Sequence, residues 1–140
     1  MNFEDELVSQ RLPKLSHEQY LAKGQNALGI YYNAKKDKFD PKVKIEFDFA
    51  GQGVAIGKAQ LGGKIDKMAR VGDEFVVYDY KTGKAKRNWK GTTMPEKIQL
   101  YNYRRQLIFY KILVENSRKF SVFKVNTGIL EFIEPIGRQI

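Results

Sequence analysis

From Val43 to Phe49 apolar and charged residues alternate, with Val43, Ile45, Phe47 and Phe49 set against Lys44, Glu46 and Asp48. This period of two predicts a half-buried strand, which Gly51 and Gly53 end. Upstream, Tyr20, Leu21, Leu28, Tyr31 and Tyr32 recur at helical spacing, and Ser16 with Gln19 has the spacing of a capping box, so a helix is expected from Ser16 to about Lys36. Gly24 and Gly29 weaken it. Residues 1 to 14 show no clear period and read as a loosely held lead-in. Downstream, strands are expected over Val54 to Ile56, Gly63 to Arg70 and Glu74 to Lys81, with Gly72-Asp73 as the two-residue turn of a hairpin. Glu96 to Ser117 lacks Gly and Pro and puts Tyr103, Leu107, Tyr110 and Val114 on one stripe, which predicts the longest helix. Two last strands, Phe120 to Val125 and Ile129 to Glu134, are expected to flank Asn126-Thr127-Gly128. The order is helix, antiparallel meander, helix, strands, an α/β chain.

A chain of 140 residues, 42% hydrophobic, can bury a single core, so one domain spanning 1–140 is expected. There is no cysteine and only one histidine, His17, which excludes disulfide frameworks and Cys- or His-cluster metal sites. Any bound metal must rest mainly on oxygen. The N-terminal residues carry acids and no apolar h-region, and no stretch nears the ~18 apolar residues of a membrane span, so a cytoplasmic address and no membrane partner are expected. The net charge of +9 is segregated: Lys81 to Lys119 holds eleven Lys and Arg against two Glu, while the remainder has fourteen of each sign. Segregation that complete points to a polyanionic partner.

Continuing the expected hairpin register sets Asp66 directly opposite Asp79, and Lys64 opposite Lys81. Two like charges facing each other across a sheet are destabilising unless something neutralises them, and a divalent cation would. Asp79 and Lys81, two apart on one strand, point the same way. Two carboxylates and an ammonium around one small volume suit metal-assisted phosphodiester hydrolysis: the oxygens suit Mg²⁺ or Mn²⁺, and Lys81 suits holding water or stabilising developing charge. The spacing alone equally fits ordinary charges on a solvent-facing hairpin, each acid pairing with Lys64 or Lys81.

The segments GGKIDKM, FVVYDYKTGK and RRQLIFYKIL resemble, in order and separation, the G-x-I-D, DYK(S/T)G and Q-L-x-x-Y motifs of RecB-like PD-(D/E)XK nucleases, over about Gly63 to Leu113. The resemblance is closest to the nuclease domain at the C-terminal end of UvrD-like helicases. It implies a restriction-endonuclease-like core, a central mixed sheet flanked by helices. It further implies that Asp66, Asp79 and the carbonyl of Tyr80 bind Mg²⁺ or Mn²⁺, that Lys81 is the catalytic lysine, and that Gln106 and Tyr110, one helical turn apart, belong to the same site. The implied partners are DNA and helicase motor domains, in the same parent chain or a partner subunit, since no Walker A motif occurs here. The basic block, with Lys84, Lys86, Arg87, Trp89 and Lys90 in one loop and Arg104 and Arg105 on the helix, supplies phosphate contacts, and Trp89 either stacks on an unpaired base or packs on the domain.

One departure from the pattern bears on activity. The family's upstream histidine ligand, in a context such as G-T-x-x-H, has no counterpart; His17 in LSHEQY reads as a surface residue, and Glu46 as part of a solvated strand face. The chain thus reads as a metal-dependent DNA nuclease module for repair or recombination. The alternatives are a non-catalytic DNA-binding or architectural module with an incomplete site, and a small RNA-binding domain, which explains the charge but not the paired acids.

Overall fold

The computed structural model describes residues 2–134 and divides into two compact units, the first comprising residues up to Phe39, Thr82–Ala85 and the chain from Phe132, the second Asp40–Lys81 and Lys86–Glu131. In the first unit, α1 (Phe3–Ser9) forms where no period was legible. Asn2 caps it: its side chain accepts from the N–H of Asp5 while the Asp5 carboxylate accepts from the N–H of Asn2. The helix is held to α2 (Lys14–Lys35) by Gln25, which donates to Glu4 at 2.7 Å, and by the ring of Phe3. Gly24 is the reason the ring fits, because a Cβ there would lie 2.0 Å from Phe3 Cζ. The glycine that weakens the helix therefore makes room for a neighbour.

Two expectations for α2 are corrected. It starts at Lys14 behind Pro13, whose φ of −53° prepares the first turn, and no side chain caps it, so Ser16 is inside the helix. The apolar residues at helical spacing do not form a buried stripe either: Tyr20, Leu28 and Tyr32 are exposed, and Ala27 is the buried position.

The second unit carries most of a four-stranded sheet in the order β1 (Lys44–Asp48), β4 (Lys64–Val71), β5 (Glu74–Lys81), β6 (Lys124–Phe132); a separate two-stranded hairpin of β2 (Ala55–Ile56) and β3 (Ala59–Gln60) replaces the single strand expected near Val54. β1 is antiparallel to β4, and β4 to β5. The β4–β5 turn is at Gly72, whose φ of +61° is the left-handed conformation this turn requires. The start of β6 lies beside the start of β5, with Lys124 N–H donating to the Asp73 carbonyl at 3.3 Å and Asn126 Nδ2 to Glu74 at 2.7 Å. β6 thus runs parallel to β5, as a return through α3 (Met94–Asn116) demands, and the sheet is mixed. The α/β class is as the sequence implies.

The expected final hairpin does not form. Residues 120–123 make a turn, and β6 is one continuous strand through Asn126-Thr127-Gly128. Gly128 is small because the helix crosses there: a Cβ at that position would sit 3.2 Å from Leu107 side-chain atoms. A glycine serving close helix–sheet approach looks, in sequence, like a turn. The core beneath α3 is formed by Tyr110, Leu113 and Val114 against Ile65, Met68, Val77 and Val125. Phe120 closes one end, with its ring 5.1 Å from Phe47 and 5.3 Å from Phe75, both edge-on. Ile45, expected inward, is exposed.

α3 begins at a capping box: Thr93 accepts from Glu96 N–H, and the Glu96 carboxylate takes the Thr92 hydroxyl at 2.6 Å and the N–H groups of Thr92 and Thr93. The Thr92 hydroxyl first, then those two N–H groups, hold the Glu96 carboxyl at about 2, below its ordinary 4.5. A lowered value in the folded state is a stabilising contribution that is present above pH 4.5 and lost as pH falls through about 2. Unfolding midpoints measured from pH 7 to pH 2 should therefore show Glu96→Gln below wild type at pH 7, with the gap closing over that acid range. A gap that stayed constant with pH would show that the ionised cap contributes nothing.

Candidate functional site

Asp79 is 2% exposed, and a carboxylate buried that deeply needs partners. Three residues surround it, one from its own strand and two from α3. Lys81 Nζ lies 2.5 Å from Asp79 Oδ2, and the Tyr110 hydroxyl donates to Asp79 Oδ1 at 2.9 Å. Gln106 completes the circuit: its Oε1 accepts from Lys81 Nζ at 2.8 Å, and its Nε2 donates to the Tyr110 oxygen at 3.2 Å. Every donor meets an acceptor around the ring, which fixes the orientation of the Gln106 amide. Gln106 and Tyr110 stand one helical turn apart, on the side of α3 that meets the sheet. Tyr103, one turn earlier, places its ring 4.6 Å from Lys81 Nζ. By sequence Tyr103 is expected in the core; its position on the Gln106–Tyr110 stripe is the sign that it serves the site.

Asp66 joins this group by a route the register did not predict. The β4–β5 pairs run from Val71↔Glu74 to Lys67↔Tyr78, and Asp66 with Asp79 is not among them. Instead the Asp66 carboxylate accepts the N–H of Tyr80 at 2.8 Å, so a side chain takes a backbone donor. The β1–β4 ladder lapses at the same place: between Ile45↔Lys67 and Phe47↔Ile65 the missing pair is Glu46 with Asp66, and Glu46 has a φ of +46°. Burial along β4 slips as well, with Ile65 and Met68 buried three apart where a regular strand would space them by two. The sheet is irregular where its carboxylate is presented. Burial first, then the charge of Asp79 and its hydrogen bond, and then the charge of Asp66, push the Tyr110 phenol well above its ordinary range, so it stays a proton donor.

The acids at this point are Asp66, which accepts from the backbone of Tyr80, and the buried Asp79, so the donors they offer are oxygen. Asp79 Oδ2 is buried and has no hydrogen-bond partner among the described residues beyond its ion pair with Lys81. That chemistry fits a hard divalent cation. Among the described residues, no group of three or more His, Asp or Glu side chains comes together to hold one, so Glu46 and His17 do not complete such a set.

The basic block is spread over several surfaces. Trp89 is exposed, and the Arg104 guanidinium lies 5.6 Å from its ring centre. Arg105 instead lies over Tyr101, and Lys86 faces Glu96 at 4.0 Å. Arg87 and Lys90 belong to the same loop, where Asn88 Oδ1 accepts the N–H of Lys90 at 2.8 Å, while Lys84 belongs to the first unit. No helix among the described residues is long and apolar enough to cross a membrane.

Compared with known proteins, the chain gives no significant match to a curated protein or to a solved structure. The family model of the PD-(D/E)XK nuclease superfamily matches it over residues 2–132, which takes in β4, β5 and α3 with all the residues of the ring. The chain therefore belongs to the PD-(D/E)XK nuclease superfamily.

Proposed function

We propose that this chain is a metal-dependent deoxyribonuclease module that acts alongside a helicase motor, of the RecB-like kind found in UvrD-like helicases. The observation that carries the reading is the closed circuit of Asp79, Lys81, Gln106 and Tyr110, with Asp66 bound to the backbone of Tyr80 between Asp79 and Lys81. Nucleases of this superfamily generally use divalent metals. Asp66, Asp79 and the Tyr80 carbonyl would hold Mg²⁺ or Mn²⁺, which when bound supplies Lewis-acid polarisation of a phosphoryl oxygen and acidifies water. The remaining work belongs to the side chains. Lys81, anchored on both Asp79 and Gln106, presents a fixed positive charge where the phosphate gains negative charge. Tyr110 stays protonated and keeps Asp79 in place. Arg87, Lys90 and Arg104 offer phosphate contacts that carry no sequence preference, and exposed Trp89 offers a face for an unpaired base.

A second reading, a DNA-binding module without cleavage, is favoured by one observation, the lack of a third acid or histidine ligand among the described residues. The two readings separate in a Mn²⁺-dependent assay on labelled single-stranded DNA. We expect slow, metal-dependent cleavage by wild type, because a cation held by fewer ligands is less well placed. Asp66→Asn, Asp79→Asn and Lys81→Met should each lower the rate about 100-fold or more while DNA binding persists. Cleavage by all three at the wild-type rate would remove the site assignment, and binding without cleavage by wild type would select the second reading.

Binding itself should come from the basic surface. Reversing Arg104 and Arg105 to Glu should weaken affinity equally for all sequences and reduce the salt slope by about one for each phosphate that is no longer neutralised. Unchanged affinity and salt slope would place the nucleic-acid surface elsewhere.

A further inference from the structure

At the turn end of the β4–β5 hairpin is a cavity of about 550 Å³, the size of a small-ligand site. The buried rings of Phe75 and Phe120 and the half-buried ring of Phe123 line it, and Lys42, Lys44 and Arg70 stand around it. Arg70 is held in one orientation, its Nε donating to the Gly72 carbonyl at 2.9 Å and its guanidinium lying 4.7 Å from the Phe123 ring centre. A guanidinium seated on a ring, with Nε already engaged, offers its two terminal nitrogens to a phosphate as a fork. Among the described residues none of these three cations has a carboxylate within ion-pair distance. The one acid lining the cavity, Asp40, is turned to the backbone, where its Oδ1 accepts the N–H of Lys42 at 2.8 Å. The three cations outnumber that carboxylate, and with the partly exposed Phe123 ring beside them they suit a ligand with both a flat ring and an anionic group.

We propose that this cavity is a second nucleotide-binding site, taking the base beside the half-buried Phe123 ring and the phosphate on Arg70, Lys42 and Lys44. It is separate from the catalytic group: Phe75 and Asp79 are four residues apart on β5, about 13 Å, with the buried Val77 and Met68 between the two places. The ligand is either a free nucleotide or a nucleotide unit of a strand, since both present the same ring and phosphate. The site does not depend on whether the chain cleaves DNA.

The test uses the whole chain without added metal and two probes, deoxyadenosine monophosphate in calorimetry and a fluorescein-labelled oligothymidylate in anisotropy. Arg70→Gln and Lys44→Gln should each lower the affinity for at least one probe about tenfold, the effect of removing one charge-assisted hydrogen bond to phosphate. Lys44 is exposed, so its variant keeps the fold even if the Arg70 variant does not. Weaker binding of the mononucleotide identifies a free nucleotide as the ligand, and weaker binding of the oligonucleotide alone identifies a strand. If neither probe binds, or if both bind Lys44→Gln as tightly as wild type, the proposal is wrong.

Discussion

Burial of the Asp79 carboxylate is the constraint around which the second unit is arranged. A charge removed from water must be neutralised and hydrogen-bonded, and breaking such a buried pair by deleting one partner costs about 3–5 kcal/mol. Lys81 supplies the charge from two residues along the same strand face, and Tyr110 supplies the hydrogen bond from α3. The second requirement fixes how the helix crosses β5. Gly128 lets that helix approach β6 closely, Leu113 and Val114 fill the space beneath it, and the capping box at Thr93 and Glu96 sets where it begins. The same contacts that make the buried acid tolerable also hold Lys81 by two acceptors.

Asp66 imposes the opposite demand. Its carboxylate takes a backbone donor of β5, and both of its neighbouring ladders lapse at that residue. Glu46, a non-glycine residue in the left-handed region, is held there by the surrounding strand at a cost of roughly 1–3 kcal/mol. The sheet gives up regular pairing at one point and keeps it on both sides. That is the pattern expected where a strand presents a functional group rather than only packing.

Much of this was legible in the sequence because it is local. The β4–β5 hairpin followed from Gly72 and the alternation on both sides, and its register held from Val71 to Lys67. The long helix followed from its apolar stripe, and the motifs carried the family. What was misread depends on contacts distant in the chain. Gly128 looked like a turn because the helix it accommodates is far away in sequence, and α1 was missed because its anchor is a ring placed over Gly24. Asp66 and Asp79 were expected directly opposite each other, and the irregularity at Asp66 replaces that picture; the pairing of Asp79 with Lys81 is the one that ordinary charges on the hairpin would make, but neither irregularity nor ring closure has a signature in spacing. The basic residues were found by composition, but composition does not tell that Arg105 lies on Tyr101 while Arg104 lies on Trp89.

Asp79 and Tyr110 act as one unit, and a double-mutant cycle on folding stability measures that directly, without metal or DNA. Denaturant unfolding of wild type, Asp79→Asn, Tyr110→Phe and the double variant should give a coupling energy of about 1–3 kcal/mol, in keeping with a buried hydrogen bond to a charged group. Additive effects, within about 0.3 kcal/mol, would mean that the carboxylate and the phenol do not depend on each other, and the account of how this site is held together would be contradicted.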